Sequence, residues 1–144
     1  MICLINGDIF ESECDVIVCP VNCVHVMGAG LALEFKKRFP EYYRSYINFG
    51  EMHIGDIHFY YEMSINKILV SLPTKNHWRA PSRYEYVRRG VSSLSAYAKA
   101  NCWHSIAIPA LGCGLGELQF ETVCDIIKKQ FAGFSGLIEI YEPK

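Results

Sequence analysis

Lys75 sits in Pro73-Thr-Lys-Asn-His-Trp-Arg79, the densest group of chemically able side chains in the chain. An amine at the end of an apolar run, drawn partly out of water, could serve as nucleophile or base, although the usual fate of a lysine is plain solvation. His77 could shuttle a proton or merely pack. Trp78 could stack on a base or fill a core gap, and Arg79 could hold a phosphate or pair with Glu85. Two glycine-rich stretches suit a different task. Leu111-Gly-Cys-Gly-Leu-Gly-Glu-Leu118 lies between the apolar run Ile106–Pro109 and a helical pattern that begins near Phe120. There Gly112, Gly114 and Gly116 remove the Cβ atoms that would hold a ligand off the backbone, and the helix that follows offers unpaired N–H groups. Gly28, Ala29 and Gly30 repeat the arrangement between Val16–Val21 and the helical spacing of Leu31, Ala32, Phe35 and Phe39. Two such junctions in one chain suit a diphosphate.

Other candidates are weaker one by one. Asp8, in Asn6-Gly-Asp-Ile9, could accept a hydrogen bond from an adenine amino group or a ribose hydroxyl, or it could simply cap a turn. Asn22 offers an amide to a ribose hydroxyl or to its own turn. Cys113 could be read as a nucleophile, yet a small residue is also what a tight phosphate loop needs. His25 has a similar split, and His53, His58 and His104 are scattered singly, as structural histidines are.

The elements that must position these groups follow from periodicity. Apolar runs at 2–5, 16–21, 57–61, 67–72, 104–109 and 136–141 are short, rich in Ile, Val, Tyr and Leu, and bounded by Gly, Asn, Pro or Asp, which predicts strands. Helical spacing occupies 30–38, 40–48, 83–100 and 120–131. Alternation of the two predicts an α/β fold, a three-layer α/β/α sandwich. The runs at 16–21 and 104–109 lack polar alternation, as central strands covered on both faces do. Only a short link joins 57–61 to 67–72, so that pair should be an antiparallel hairpin and the sheet mixed. Ligands of such sheets sit beyond the carboxyl ends of the strands, where both glycine loops and the Lys75 segment fall.

Bulk properties exclude several classes. A length of 144 residues favours one domain spanning 1–144. With a net charge of −1 and no basic run longer than Lys36-Lys-Arg38, the chain has no broad face for duplex phosphates, so any nucleic-acid contact would be local. Its seven cysteines include no C-x-x-C pair and lie mostly in apolar runs; they read as reduced, mostly buried thiols, with no zinc site. No leader or membrane-length apolar run is present, so the chain reads as cytoplasmic and free of the membrane. Neither loop spells G-x-G-x-x-G and no Gly-Lys-Ser or Gly-Lys-Thr follows either, which disfavours a Rossmann dehydrogenase and a P-loop NTPase.

Taken together, Asn6-Gly-Asp-Ile9, Val21-Asn22, the segment Val26–Pro40 and Ala110-Leu-Gly-Cys-Gly-Leu-Gly116 resemble the macrodomain family, α/β/α modules that bind ADP-ribose. Within it, Met27-Gly-Ala-Gly-Leu-Ala32 with Phe35-Lys-Lys-Arg-Phe39 is similar to the terminal ADP-ribose protein glycohydrolases. Pro73-Thr-Lys-Asn-His-Trp-Arg79 is similar to the DarG-type branch, antitoxins that remove ADP-ribose from thymine in DNA. The resemblance implies that Asp8 binds adenine with help from the backbone of Ile9, and that Asn22 faces the distal ribose. It implies that Gly28, Ala29, Gly30, Thr74, Gly112, Cys113, Gly114, Leu115 and Gly116 surround diphosphate and ribose. Lys75 is implied as the catalytic residue, acting on the anomeric carbon C1″ or assisting ring opening, with His77 beside it. The protein-directed glycohydrolases carry an Asp where this chain has Gly116, which favours a modified base, in single-stranded DNA, over a glutamate-linked substrate. Neither metal nor cofactor is implied. Implied partners are ADP-ribose or an ADP-ribosylated substrate, single-stranded DNA, and a cognate ADP-ribosyltransferase toxin acting on the same substrate. A stand-alone eraser, a hydrolase of O-acetyl-ADP-ribose, ADP-ribose 1″-phosphate or glutamate-linked ADP-ribose, and a non-catalytic reader are the alternatives. For contacts with a single strand, the sequence offers Trp78, Arg79, Arg83, Tyr84 and the Arg88-Arg89 pair, or else those last two are a solvated helix face.

Overall fold

A strand buried on both faces has no room for polar alternation, and the run that begins at Val16 is such a strand. The structure, a computed structural model, describes residues 1–144. In chain order it contains β1 (Ile2–Ile5), a single 3-10 turn (Ile9–Glu11), β2 (Val16–Asn22), α1 (Gly30–Arg38), α2 (Pro40–Ile47), β3 (His58–Glu62), β4 (Lys67–Lys75), α3 (Tyr84–Ala100), β5 (Ser105–Ile108), α4 (Phe120–Gln130) and β6 (Leu137–Tyr141). The strands form one six-stranded sheet in the order β1-β6-β5-β2-β4-β3. Every neighbouring pair is parallel except β3 with β4, the expected hairpin.

Alternate residues of β2 feed two separate cores. Val16 and Val18 join Val70, Leu72, Ile106 and Ile108 under α3 and α4. Ile17, Cys19 and Val21 join Leu69 and Ala107 under α1 and α2. Helix α3 contributes Val87, Val91, Leu94 and Ala98 to the first core, and Phe35, Tyr42 and Tyr46 of α1 and α2 fill the second. The three-layer sandwich is therefore the arrangement that leaves neither face of the central strands wet. Close approach of α3 to the sheet depends on Gly90, where an added Cβ would lie 2.5 Å from a Leu72 methyl.

Two expectations are corrected. Strand β4 was expected over 67–72, the apolar run bounded by Pro73. It runs on to Lys75, and β2 shifts register between Val21 and Asn22 to accommodate it, so that Asn22 pairs with Lys75. Nor are the cysteines mostly buried: all are free thiols, but only Cys14, Cys19 and Cys124 are buried, while Cys102 is exposed.

A polar network sits inside the second core. The His58 ring lies 2.9 Å from the Ser71 hydroxyl through Nδ1 and 2.8 Å from the Ser45 hydroxyl through Nε2, and the Tyr42 hydroxyl is 2.5 Å from that of Ser71. Burial, with a smaller contribution from the nearby His25, pulls the His58 imidazole down from its ordinary 6.5 to about 4. The sign follows from linkage. Below pH 6.5 the unfolded chain takes up a proton that the folded chain refuses until about pH 4. Stability is therefore full above this window and falls through it, by at most about 3 kcal/mol. Urea midpoints measured from pH 7 to pH 4 should fall steadily in wild type, and the slope attributable to this window should vanish in His58→Gln; an unchanged slope would remove His58 as its source.

Candidate functional site

Parallel pairing places the carboxyl ends of β1, β2, β4, β5 and β6 on one edge of the sheet. A cleft of about 1230 Å³ opens along that edge. It is lined by Asp8, Ile9, Asn22, Gly28, Ala29, Gly30, Thr74, Lys75, Gly112, Cys113, Gly114, Leu115 and Gly116, so both glycine loops and the lysine share one cavity. His77 is exposed and does not line it. Its Nδ1 accepts a hydrogen bond from the Arg79 N–H at 3.1 Å, and its ring stacks on Trp78 at 5.4 Å.

Lys75 is held by strand pairing rather than by a loop. Its carbonyl accepts from the Cys23 N–H at 3.0 Å, and its Nζ lies 3.5 Å from the Leu115 carbonyl at the tip of the second glycine loop. That contact is long for a hydrogen bond, so the amine is near the loop without being committed to it. Asp8 does cap a turn, accepting from the Phe10 N–H at 2.9 Å through Oδ1, which leaves its second oxygen for a ligand. The Asn22 amide also holds its own loop: Oδ1 accepts from the Val24 and Val26 N–H groups at 3.2 Å, and Nδ2 donates to the Val26 carbonyl at 2.8 Å. One Nδ2 hydrogen remains.

The glycine loops offer backbone where side chains would block. Ala29 precedes α1 with no side-chain cap, so the first amides of that helix are unpartnered at the cleft wall. In the second loop the glycines do different work. Gly112 has φ +72° and a Cβ there would lie 2.7 Å from Leu118. A Cβ on Gly116 would strike the Ser82 hydroxyl and come 2.5 Å from the Gly112 carbonyl, whereas at Gly114 it would meet nothing. Gly112 and Gly116 therefore shape the loop, and Gly114 keeps space open. Burial pushes the Cys113 thiol up to about 11, and its Sγ donates to the Leu111 carbonyl at 3.5 Å, so at neutral pH it is a packed thiol and not a nucleophile. Nowhere do three His, Cys, Asp or Glu side chains converge closely enough to hold a metal ion.

Several lining residues escaped the sequence reading. Tyr141 at the end of β6 and Glu142, Pro143 and Lys144 after it line the cleft, and the rule that ligands sit beyond strand ends would have found them. Ser82 is buried against the second loop, its hydroxyl without a partner. A serine after a proline reads as a turn, and nothing in the sequence marks that contact.

Comparison with known proteins places this cleft in context. The family profile described as Macro domain matches residues 18–127. A DNA ADP-ribosyl glycohydrolase of Thermus aquaticus is 36% identical over 149 residues, covering 99% of this chain but 41% of that protein, so the chain spans less than half the length of this relative. The structure of the macrodomain of Mycobacterium tuberculosis DarG superposes with a TM-score of 0.94 at 35% identity, covering 100% of this chain and 99% of that one. That of Thermosipho africanus DarTG in complex with ADP-ribose gives 0.91 at 29% identity, covering 97% of this chain and 41% of that one. No helix is long and apolar enough to cross a membrane.

The packing at Gly116 can be tested by substitution. Gly116→Ala should cost roughly 1–3 kcal/mol of stability by forcing the loop away from Ser82, while Gly114→Ala should stay within about 0.5 kcal/mol of wild type. Urea unfolding reads both. Adding Ser82→Gly to Gly116→Ala should recover part of the loss, and equal costs at 114 and 116 would refute the steric account.

Proposed function

The chain belongs to the Macro domain family, and on that premise we propose that it is an ADP-ribosyl hydrolase that removes ADP-ribose from modified bases, preferably thymine in single-stranded DNA. One observation carries the reading: two phosphate-suited glycine loops and a strand-end lysine meet in one cleft, with Lys75 Nζ 3.5 Å from the carbonyl of Leu115. Related proteins named as DNA ADP-ribosyl glycohydrolases, and a related structure holding ADP-ribose, support it.

In this reading adenine lies against the free oxygen of Asp8 and the backbone of Ile9. The diphosphate runs between Gly28–Gly30 at the start of α1 and Gly112–Gly116, where amides and not side chains meet the phosphate oxygens. Asn22 and Thr74 border the distal ribose, which brings C1″ to Lys75. The amine attacks C1″ as the bond to the base breaks, or assists opening of the ribose ring. The base departs with a proton, and water then frees ADP-ribose from the lysine. Holding C1″ beside the amine replaces a bimolecular encounter with a local one. Lys75 on a strand fixes that distance better than a free loop would. His77, exposed beside the cleft, would act as a proton shuttle only after the 76–82 loop turns inward. A cognate ADP-ribosyltransferase is the partner this chemistry would oppose, since a relative of this chain from Thermosipho africanus is named as a DNA ADP-ribosyl transferase-DNA ADP-ribosyl glycohydrolase fusion protein.

Wild type should release ADP-ribose and unmodified DNA from an oligonucleotide that bears ADP-ribosyl-thymidine. Lys75→Ala should lower kcat by at least about 100-fold while still binding free ADP-ribose in calorimetry. Release of ADP-ribose from a glutamate-linked peptide or O-acetyl-ADP-ribose, with none from DNA, would move the substrate elsewhere; turnover undiminished in Lys75→Ala would refute the assignment of that residue.

A further inference from the structure

The arginines of this protein divide into two groups. Arg38, Arg44 and Arg88 are paired with Glu34, Glu41 and Glu85 along their own helices. Arg79, Arg83 and Arg89 have no carboxylate within ion-pair distance, and all three follow Lys75 closely in the chain. Three unpaired cations within 14 positions of Lys75, in a protein whose net charge is −1, are a local signal that the overall charge hides.

Their positions form a path. At the cleft mouth Trp78 is 46% exposed and lines the cavity, with the Arg79 guanidinium 4.5 Å from its ring centre. Asn76, next to Lys75, donates through Nδ2 to the Tyr86 hydroxyl at 2.9 Å, which fixes the loop against the first turns of α3. One helical turn beyond Tyr86, a second cavity of about 310 Å³ lies between α3 and the Ile54–Asp56 segment, lined by Gly55, Asp56, Arg88, Arg89, Ser92 and Ser93. It is a polar groove with one apolar lining residue. Arg89 runs along Gly55, its Nε 3.7 Å from where a Cβ of that glycine would be, and Ser93 donates to the Gly55 carbonyl at 2.7 Å. One carboxylate, Asp56, lines the groove opposite α3; it accepts from the His53 N–H at 2.8 Å and keeps its charge, so phosphate contacts fall to the α3 wall. Arg83, exposed at the start of α3, lies in the connection that leads from the mouth loop to the helix carrying Arg89.

We infer that this path, from Trp78 and Arg79 past Arg83 to the groove of Arg89, Ser92 and Ser93, carries the sugar-phosphate backbone of single-stranded DNA next to the base held in the cleft. The inference rests on the DNA reading of the cleft and extends it to the flanking nucleotides. A base can enter the cleft only when it is out of a duplex. The strand on either side of it then needs phosphate contacts and one stacking surface, and no sequence-reading groups. Spaced cations, the Ser92 hydroxyl and a half-exposed indole provide that set.

The test is binding of a fluorescent, unmodified twelve-residue oligothymidylate to the full chain, followed by anisotropy across a salt series, in wild type and Arg83→Gln/Arg89→Gln. Each phosphate contact on a single strand contributes about 0.7 to the slope of log K against log salt, so removing two cations should lower that slope by about 1.4. Lys128→Gln/Lys129→Gln, which removes the same charge from the far end of α4, should leave it unchanged. With substrates, the arginine variant should raise KM for an ADP-ribosylated oligonucleotide several-fold at constant kcat, and leave KM for ADP-ribosyl-thymidine alone unchanged. An equal loss of slope in the α4 variant, an unaltered slope in the arginine variant, or an equal rise in KM for the mononucleoside would overturn the path. Absence of turnover by wild type on any substrate would instead count against the proposed activity, and the anisotropy slopes would then decide the path alone.

Discussion

Everything in this molecule depends on covering both faces of β2, β4 and β5 at once. Because Val16 and Val18 face one core and Ile17 and Cys19 the other, no tight turn can join one of these strands to a parallel neighbour. The chain must cross over through helices, and right-handed crossovers return it parallel. Parallel strands all end on one edge, and that edge is where the glycine loops, Asn22 and Lys75 collect. The site is thus a by-product of hydrophobic burial. Its chemistry comes from residues placed where the strands run out.

The second constraint is steric and local. Loop 110–118 lies against Ser82, in the connection that leads from Lys75 to α3, and glycine at 112 and 116 is what permits that contact. The Tyr84 hydroxyl accepts from the Gln119 N–H at 3.1 Å, a further tie between the same two segments. Two loops that flank the lysine therefore position one another. Phosphate loops are often described by the amides they expose. Here the exposure depends on a buried serine from a different segment.

Most of this was legible in the sequence, and the exceptions have physical causes. The strands and helices follow from period and composition, because burial on one face or two leaves a pattern in the residues themselves. The hairpin between β3 and β4 followed from a link too short for a crossover. What escaped depended on contacts between distant residues. The extension of β4 through Pro73 is supported by a register shift in β2, which no local rule encodes. Ser82 gains its meaning from Gly116, 34 positions on. The cap at Asp8 and the turn at Asn22 were open to two readings each, because a side chain that can bond a ligand can also bond its own backbone. Arg88 and Arg89 show the same limit: adjacent in sequence and alike in chemistry, they part in the fold, where Arg88 is paired with Glu85 and Arg89 lies along Gly55.

That last distinction explains how a nearly neutral protein can present a cationic path. An ion pair on an exposed helix holds its charges together and projects little field, because the two ends cancel within a few ångströms and salt screens the remainder. Arg88 and Glu85 behave this way, as do Arg44 with Glu41 and Arg38 with Glu34. A cation without a partner keeps its field, and at physiological salt that field reaches about 8 Å. Arg79, Arg83 and Arg89 are such cations, and all three follow the strand end at Lys75 within 14 positions. Net charge alone reports none of this. For a polyanion what matters is which charges are left over after the helices have paired their own, and where the fold has put them.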